Sequence, residues 1–347
     1  VQPLTTPEQK VPDRMTLICS FLSAVWPDHS YQLTAISGDA SFRRYFRVVY
    51  QGEHYVLMDS PPTLEDGQRF VAVQQAFQLA GLRVPAILQQ DLANGLLLLE
   101  DLGDELLLGL LTSENVTDWY RQALMQLRQV RSVVETSQGP IPLFDRAFLL
   151  REMQLFIDWF VSVHLKLQLA VDELDMLAEL FEFLADVALA QPQAGMHRDY
   201  HARNLMVLPD AQLAVIDFQD AVQGPVSYDA VSLLKDCYKR WPEPLVASLR
   251  DEFFQQLQQQ QMLAADWTAE RFARSFDLMG LQRHIKVCGI FSRLYHRDGK
   301  AGYLADLPRV LDYVKDAAAQ YPECQAFSDF LSKKIQPRLL EVMACGQ

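Results

Sequence analysis

Cysteine is scarce and unpatterned in this chain. The five cysteines, Cys19, Cys237, Cys288, Cys324 and Cys345, are odd in number and form no CxxC pair. A disulfide framework and a zinc ribbon are thereby excluded, and the residues read as reduced thiols of a cytoplasmic protein. Long apolar runs are missing too. None reaches about 18 residues, and no basic-then-apolar segment opens the sequence, so no membrane partner is expected. Basic charge is in deficit, with 31 Lys and Arg against 44 Asp and Glu, for a formal net charge of −13. Nucleic acid demands a basic footprint and is not an expected partner. The same deficit means that an anionic nucleotide would need local cations, either arginines or magnesium. Repeats and low-complexity linkers are absent, and the Gln-rich patch at 255–261 reads as a solvated helix face.

What is present is enough for two cores. The chain has 347 residues, half of them hydrophobic, which exceeds one ordinary domain. Its organisation changes near residue 103. Before it, short alternating runs at 31–37, 44–50 and 54–60 predict strands, punctuated by Gly38 and Gly52. Apolar spacing predicts a helix over 65–80, stopped by Gly81. AILQQ (86–90) and GLLLLE (95–100), joined through Asn94-Gly95, predict a further hairpin. After Gly103, helical patterns take over at 114–136, 145–167, 173–190, 228–239, 244–261, 269–293 and 303–320. The expectation is an α+β fold of two lobes, a small antiparallel β-sheet N-lobe (1–103) and a large, mostly helical C-lobe (104–347).

The chemistry is concentrated in MHRDYHARNLMVL and the AVIDFQDA that follows. Asp199 and Asn204 have the spacing of the kinase catalytic loop H-R-D-x-x-x-x-N, and Asp217-Phe218 has the form of its metal-binding D-F dipeptide. Phosphoryl transfer needs one carboxylate to orient the attacking hydroxyl, here Asp199. It needs a carboxamide and a second carboxylate to hold Mg²⁺ against the phosphates of ATP, here Asn204 and Asp217. Gly38 follows the first strand and would let backbone approach phosphate, though one glycine equally makes an ordinary turn. Glu100 and Leu102, in LLLLEDLGD, are candidate backbone contacts to the nucleotide base. One part is missing. A kinase third strand ends in a lysine, and in YVLMDSPP that position holds Met58. Either the chain is a regulatory pseudokinase or another cation serves. Arg43, Arg44 and Arg47 lie on the strand after Gly38, with Arg43 and Arg47 on one face and Arg44 on the other. With Asp199, Asn204 and Asp217 all intact, replacement by Arg43 or Arg44 is the preferred reading.

These residues resemble the aminoglycoside phosphotransferase and choline kinase superfamily over about residues 34–320. The resemblance rests on H-x-D-x-H-x-x-N (His197, Asp199, His201, Asn204), on Ile216-Asp217-Phe218, and on Gly224, Pro225, Tyr228 and Asp229 as G-P-x-x-Y-D. ASFRRYFRV, VLMDSPP, HRDYHARNLM and LQRHIKVCGIFSRLYHRDGK together resemble the bacterial N-acetylmuramate/N-acetylglucosamine anomeric kinases, and the methionine in place of lysine fits that pattern. The resemblance implies a two-lobed protein-kinase-like fold, with nucleotide bound by the N-lobe and the catalytic loop and substrate site in the C-lobe. It also implies an ATP- and Mg²⁺-dependent kinase of a small-molecule sugar, acting on the anomeric hydroxyl in cell-wall sugar recycling. Another small-molecule kinase, for choline, an amino acid or an aminoglycoside, stays open. A monomer is expected. Only eleven residues separate Asp217 from Asp229, too few for a peptide-gripping activation segment. Arg198, which pairs with a phosphorylated loop in regulated protein kinases, therefore reads as structural, and so does His197. Asp229 is expected to accept hydrogen bonds from the catalytic-loop backbone. His201 could approach the γ-phosphate or brace the loop. For the acceptor, Arg283, Lys286 and Arg293 fall within roughly 80° of helical arc, either a carboxylate-binding arc or a solvated basic edge. Asp220, Arg203 and Lys235 are further candidates.

Overall fold

The computed structural model describes residues 13–36 and 43–345. They form two compact units. The described residues up to Ala72 together with Pro85–Leu102 make one, and Val73–Val84 with the chain from Gly103 onward make the other.

The first unit opens with α1 (Arg14–Val25), followed by β1 (Gln32–Ile36), β2 (Arg44–Tyr50) and β3 (Glu53–Asp59). Then come α2 (Gly67–Leu79), whose later turns belong to the second unit, β4 (Ile87–Asp91) and β5 (Leu96–Glu100). The five strands form one antiparallel sheet in the order β1-β2-β3-β5-β4. Gln51 and Gly52 close the β2–β3 hairpin with φ of 51° and 85°. Two left-handed residues match the right-handed strand twist, the type I′ solution. Gly95 is demanded by crowding: a Cβ there would lie 1.9 Å from Ser60 O. One sheet face is covered by α1, where Ile18 and Leu22, one turn apart, pack with Trp26, Val48, Leu57, Leu96 and Leu98. No helix was expected at 14–25. Asp13 makes no side-chain cap there, and the apolar face is short. Met58 is fully buried, opposite Tyr45 and Leu97 in the sheet.

The second unit is helical, as expected. It comprises α3 (Leu107–Leu110), α4 (Val116–Ser132), the small hairpin of β6 (Glu135–Thr136) and β7 (Gly139–Pro140), α5 (Arg146–Leu155) and α6 (Val171–Leu189). Short strands β8 (Gln193–Met196), β9 (Leu205–Val207), β10 (Leu213–Val215) and β11 (Val222–Pro225) frame the motif. Then follow α7 (Tyr228–Leu234), α8 (Glu243–Gln259), α9 (Ala269–His296), α10 (Leu307–Ala318), α11 (Gln325–Phe330) and α12 (Gln336–Cys345). The 28-residue α9 is the centre, with α5, α6, α7, α8 and α10 against it. Gly289 lets α9 approach α5 closely, since an added Cβ would sit 2.4 Å from the Leu155 backbone. The single helix expected over 145–167 is instead α5 followed by a π-helical stretch at Phe156–His164. The helix expected over 228–239 stops at Leu234.

Candidate active site

The motif occupies the connection between β8 and β9. Its backbone folds on itself: His201 N–H donates to Asp199 O at 3.0 Å, and Asn204 N–H to His201 O at 2.9 Å. The Asn204 side-chain amide donates to Asp199 O at 2.9 Å. Arg198 adopts φ of 77°, a conformation side chains resist, so something must hold it. Asp229, at the start of α7, does so. Its two carboxylate oxygens accept from His197 N at 2.7 Å and Arg198 N at 3.0 Å. His197 is fully buried and bridges strands. Its Nε2 lies 3.0 Å from Ile216 O and its Nδ1 3.3 Å from Asp199 N. Only the Nε2–H tautomer serves both contacts, donating to the carbonyl and accepting from the amide.

Asp236 is a second clamp. It is wholly buried and accepts from Ala202 N at 3.2 Å and Tyr238 N at 2.9 Å. Burial pushes its carboxyl up to about 6 against those two hydrogen bonds. Sequence reasoning missed it. The available signal was a second aspartate seven residues after Asp229 in SYDAVSLLKD, which the structure places just past the end of α7.

Asp217 follows β10 with φ of 62° and an exposed side chain. Gln219 Nε2 donates to its Oδ1 at 3.0 Å, and the Asn204 amide nitrogen lies 3.4 Å from its Oδ2. The Asn204 carboxamide and the Asp217 carboxylate are therefore neighbours and supply the hard oxygen donors that magnesium takes. Among the described residues no three His, Cys, Asp or Glu side chains form a metal cage. A magnesium held here would be shared with phosphate oxygens and water, which is its usual habit.

Asp199 keeps 39 % of its side chain accessible. Desolvation would raise its carboxyl pKa, but the charges of Lys286, Arg283 and Arg198 outweigh it and hold the group well below the usual range. Those cations are tied down elsewhere. Arg283 Nη1 is 3.7 Å from Asp199 Oδ1, a loose pair, and donates to Arg198 O at 3.1 Å and Tyr228 Oη at 3.3 Å. Lys286 Nζ and Arg198 Nη2 each lie 2.9 Å from Glu152 Oε1, a residue of α5 that sequence reasoning did not single out.

The other expected residues fall as follows. Arg283 and Lys286 are buried, each 3 % exposed, which overturns the reading of a solvated basic edge. Arg293 does not share their bonds, and its buried Nε has no hydrogen-bond partner among the described residues. His201 is buried against Tyr238, and burial lowers its pKa to about 3, so it is neutral. Arg203 stacks on Tyr238 at 4.6 Å. Asp220 is exposed, and Lys235 is held by Asp277 at 2.7 Å. In the first unit Arg43 reaches Glu65 at 2.6 Å. Arg44 and Arg14 share the fully buried Asp59, at 2.8 and 2.9 Å from their Nε atoms. Arg47 pairs with Asp101 at 2.6 Å. Glu100 N–H donates to Ala86 O at 2.9 Å, and Leu102 ends the unit. Gly38 lies outside the described residues.

The family model described as "Phosphotransferase enzyme family" matches residues 32–273. The chain is 42% identical over 308 residues to the N-acetylmuramate/N-acetylglucosamine kinase of Pseudomonas aeruginosa, covering 87% of this chain and 88% of that protein. Among solved structures it resembles a Plasmodium vivax ethanolamine kinase, with a TM-score of 0.62 at 11% identity, covering 92% of this chain and 93% of the other. It also resembles the ADP-bound aminoglycoside phosphotransferase APH(2'')-Ib, with a TM-score of 0.59 at 15% identity, covering 86% and 97%. At such identities the structures establish a shared kinase-like fold.

Proposed function

Since this chain belongs to the phosphotransferase enzyme family, we propose that it moves the γ-phosphoryl group of ATP to the anomeric hydroxyl of N-acetylmuramate or N-acetylglucosamine. The sugar follows from the 42% identical relative's name. The reaction class is supported most by one observation, the Asn204 side chain joining Asp199 O at 2.9 Å to Asp217 at 3.4 Å.

In this reading the accessible Asp199 carboxylate accepts the hydrogen bond of the sugar hydroxyl and aims its oxygen at the γ-phosphorus. The new O–P bond forms as the bond to the β–γ bridging oxygen breaks, ADP departs, and the hydroxyl proton passes to Asp199. A carboxyl held far below the usual range is a weak base. Its part is therefore orientation, with proton transfer late, as suits a loose phosphoryl-transfer transition state. Asn204 and Asp217 would hold Mg²⁺, which supplies charge neutralisation at the phosphates. Asp229 and Asp236 keep the loop backbone in the shape that presents these groups.

The test is ATP consumption against free amino sugars, choline and an aminoglycoside, with and without magnesium, and with ³¹P NMR to locate the product phosphate. An anomeric phosphate formed only with magnesium supports the proposal. Turnover confined to choline or aminoglycoside moves the acceptor. Nucleotide binding without turnover of any acceptor marks a regulatory pseudokinase.

A further inference from the structure

We infer that Glu152 is a built-in counter-charge that keeps Asp199 available to the acceptor hydroxyl by holding the neighbouring cations. The inference rests on Asp199 being the orienting group proposed above.

Three cations, Arg198, Arg283 and Lys286, crowd two carboxylates, Asp199 and Glu152. Their sharing is unequal. Glu152 takes both Arg198 and Lys286 on a single oxygen, each at 2.9 Å. Among the described residues the Asp199 carboxylate is paired only with Arg283, at 3.7 Å, too long for a hydrogen bond. The difference shows in accessibility: the Glu152 side chain is 7 % exposed, while that of Asp199 is 39 % exposed. Lys286 is buried, which by itself lowers its pKa, yet the charge of Glu152, with Tyr228, outweighs that and raises it. Tyr228 Oη completes the arrangement, within 3.2 Å of Lys286 Nζ and 3.3 Å of Arg283 Nη1. Without the Glu152 charge, Asp199 is the next carboxylate to act on both Arg198 and Lys286, and a buried cation without a partner is costly. Arg198 and Lys286 would then draw on Asp199 and bind the oxygen that the acceptor needs.

The same contact answers a question raised by the motif. In regulated protein kinases the arginine of H-R-D waits for a phosphorylated loop. Here eleven residues separate Asp217 from Asp229, and Arg198 already has its anion in α5, 46 positions away in sequence. The loop is thus set by a permanent carboxylate and needs no modification to be competent.

Glu152 is a positioning residue, and a charge cycle tests it. Glu152→Gln keeps shape and removes charge. It should lower kcat about 30-fold, with the KM for ATP changed less than about twofold, because the loss lies in the presentation of Asp199. Adding Lys286→Met to Glu152→Gln removes one cation together with the anion. It should recover at least about fivefold of the lost kcat, a coupling that independent packing losses do not show. Near-native kcat in Glu152→Gln overturns the inference, as does a double variant slower than Glu152→Gln. If Glu152→Gln does not fold, the double variant decides against Lys286→Met alone. It must fold and stay within about tenfold of that kcat, and a folded but inactive double variant refutes the idea. Each ratio is read on amino-sugar phosphorylation where the native protein shows it, and otherwise on slow ATP hydrolysis. A native protein inert toward every amino sugar sinks the acceptor reading alone.

Discussion

Replacing Asp229 by asparagine should unsettle the catalytic loop while leaving its chemical groups in place. The buried carboxylate uses both oxygens, accepting from His197 N at 2.7 Å and Arg198 N at 3.0 Å. An asparagine has one oxygen, so its NH₂ would face one of the two N–H donors. The lost hydrogen bond to a charged acceptor is worth about 1.5–3 kcal/mol, and a buried donor left unpaired costs about 1–3 kcal/mol. Against this stands the charge itself. Burial raises the carboxyl pKa of Asp229, so the ionised form is under strain and a neutral amide relieves part of it. The net expectation is a loss of about 2 kcal/mol, roughly thirtyfold in the folding equilibrium. Arg198 would lose one restraint on its positive φ, and a shift of about 1 Å in Asp199 can cost about a hundredfold in rate. Urea unfolding gives the first number, and steady-state kinetics give the second. The kcat should fall far more than the KM for ATP rises. A variant with the native urea midpoint and native kcat would refute the clamp.

Other outcomes can be checked in the same assays. Asp199→Asn should lower kcat at least about a thousandfold and leave nucleotide binding measurable, and near-native turnover would remove Asp199 from its role. Asp217→Ala should lose activity and magnesium-dependent nucleotide affinity together; equal affinity of the native protein with and without magnesium would count against the Asn204–Asp217 site. Arg43→Ala and Arg44→Ala, alone and combined, should weaken ATP binding about tenfold or more and adenosine binding less than about twofold; a double variant that binds ATP normally ends the idea that arginine replaces the lysine absent at Met58. Asp236 offers a pH test. Its pKa is raised from 3.8 to about 6, so its stabilising effect is complete below the lower value and lost as pH rises through the higher. The stability gap between native protein and Asp236→Asn should narrow by about 1.4 kcal/mol from about pH 5 to about pH 7.5, and a gap that stays flat or widens contradicts this.

The sequence is most readable where local geometry decides. β2 is expected at 44–50 and found at Arg44–Tyr50, because alternation and the Gln51-Gly52 turn act within one hairpin. The α1 helix and the α11 and α12 helices escape notice, since their burial depends on surfaces remote in sequence. The motif residues behave in the same way. His197, Asp199, Asn204 and Asp217 are recognisable because one short connection must deliver them in a fixed order. Glu152 follows no such rule, and Arg283 and Lys286 stand out only as part of a basic arc whose burial the sequence leaves open. Each looks like an ordinary charge on an amphipathic helix until its partner from another helix is known.

That illegibility bears on what the buried charges are for. Taking ions out of water costs several kcal/mol each, and the mutual attraction repays it only with good geometry. An apolar set of similar volume between α5 and α9 would stabilise the fold at least as well. The geometry is also incomplete as a device for stability. Among the described residues Glu152 Oε2 and Arg198 Nε are buried without hydrogen-bond partners, and Arg283 stands 3.7 Å from the carboxylate it faces. What the cluster does achieve is local. It places three cations around Asp199, holds that group ionised, and keeps two of the cations bound to Glu152 instead. A hydroxyl-orienting carboxylate needs charge, a fixed position and a free oxygen, and the cluster supplies all three. Its cost is therefore better assigned to the reaction than to the fold. On that assignment, apolar replacement of Glu152, Arg198 and Lys286 together would leave unfolding free energy level or higher while abolishing turnover, whereas a cluster kept for stability would lose both.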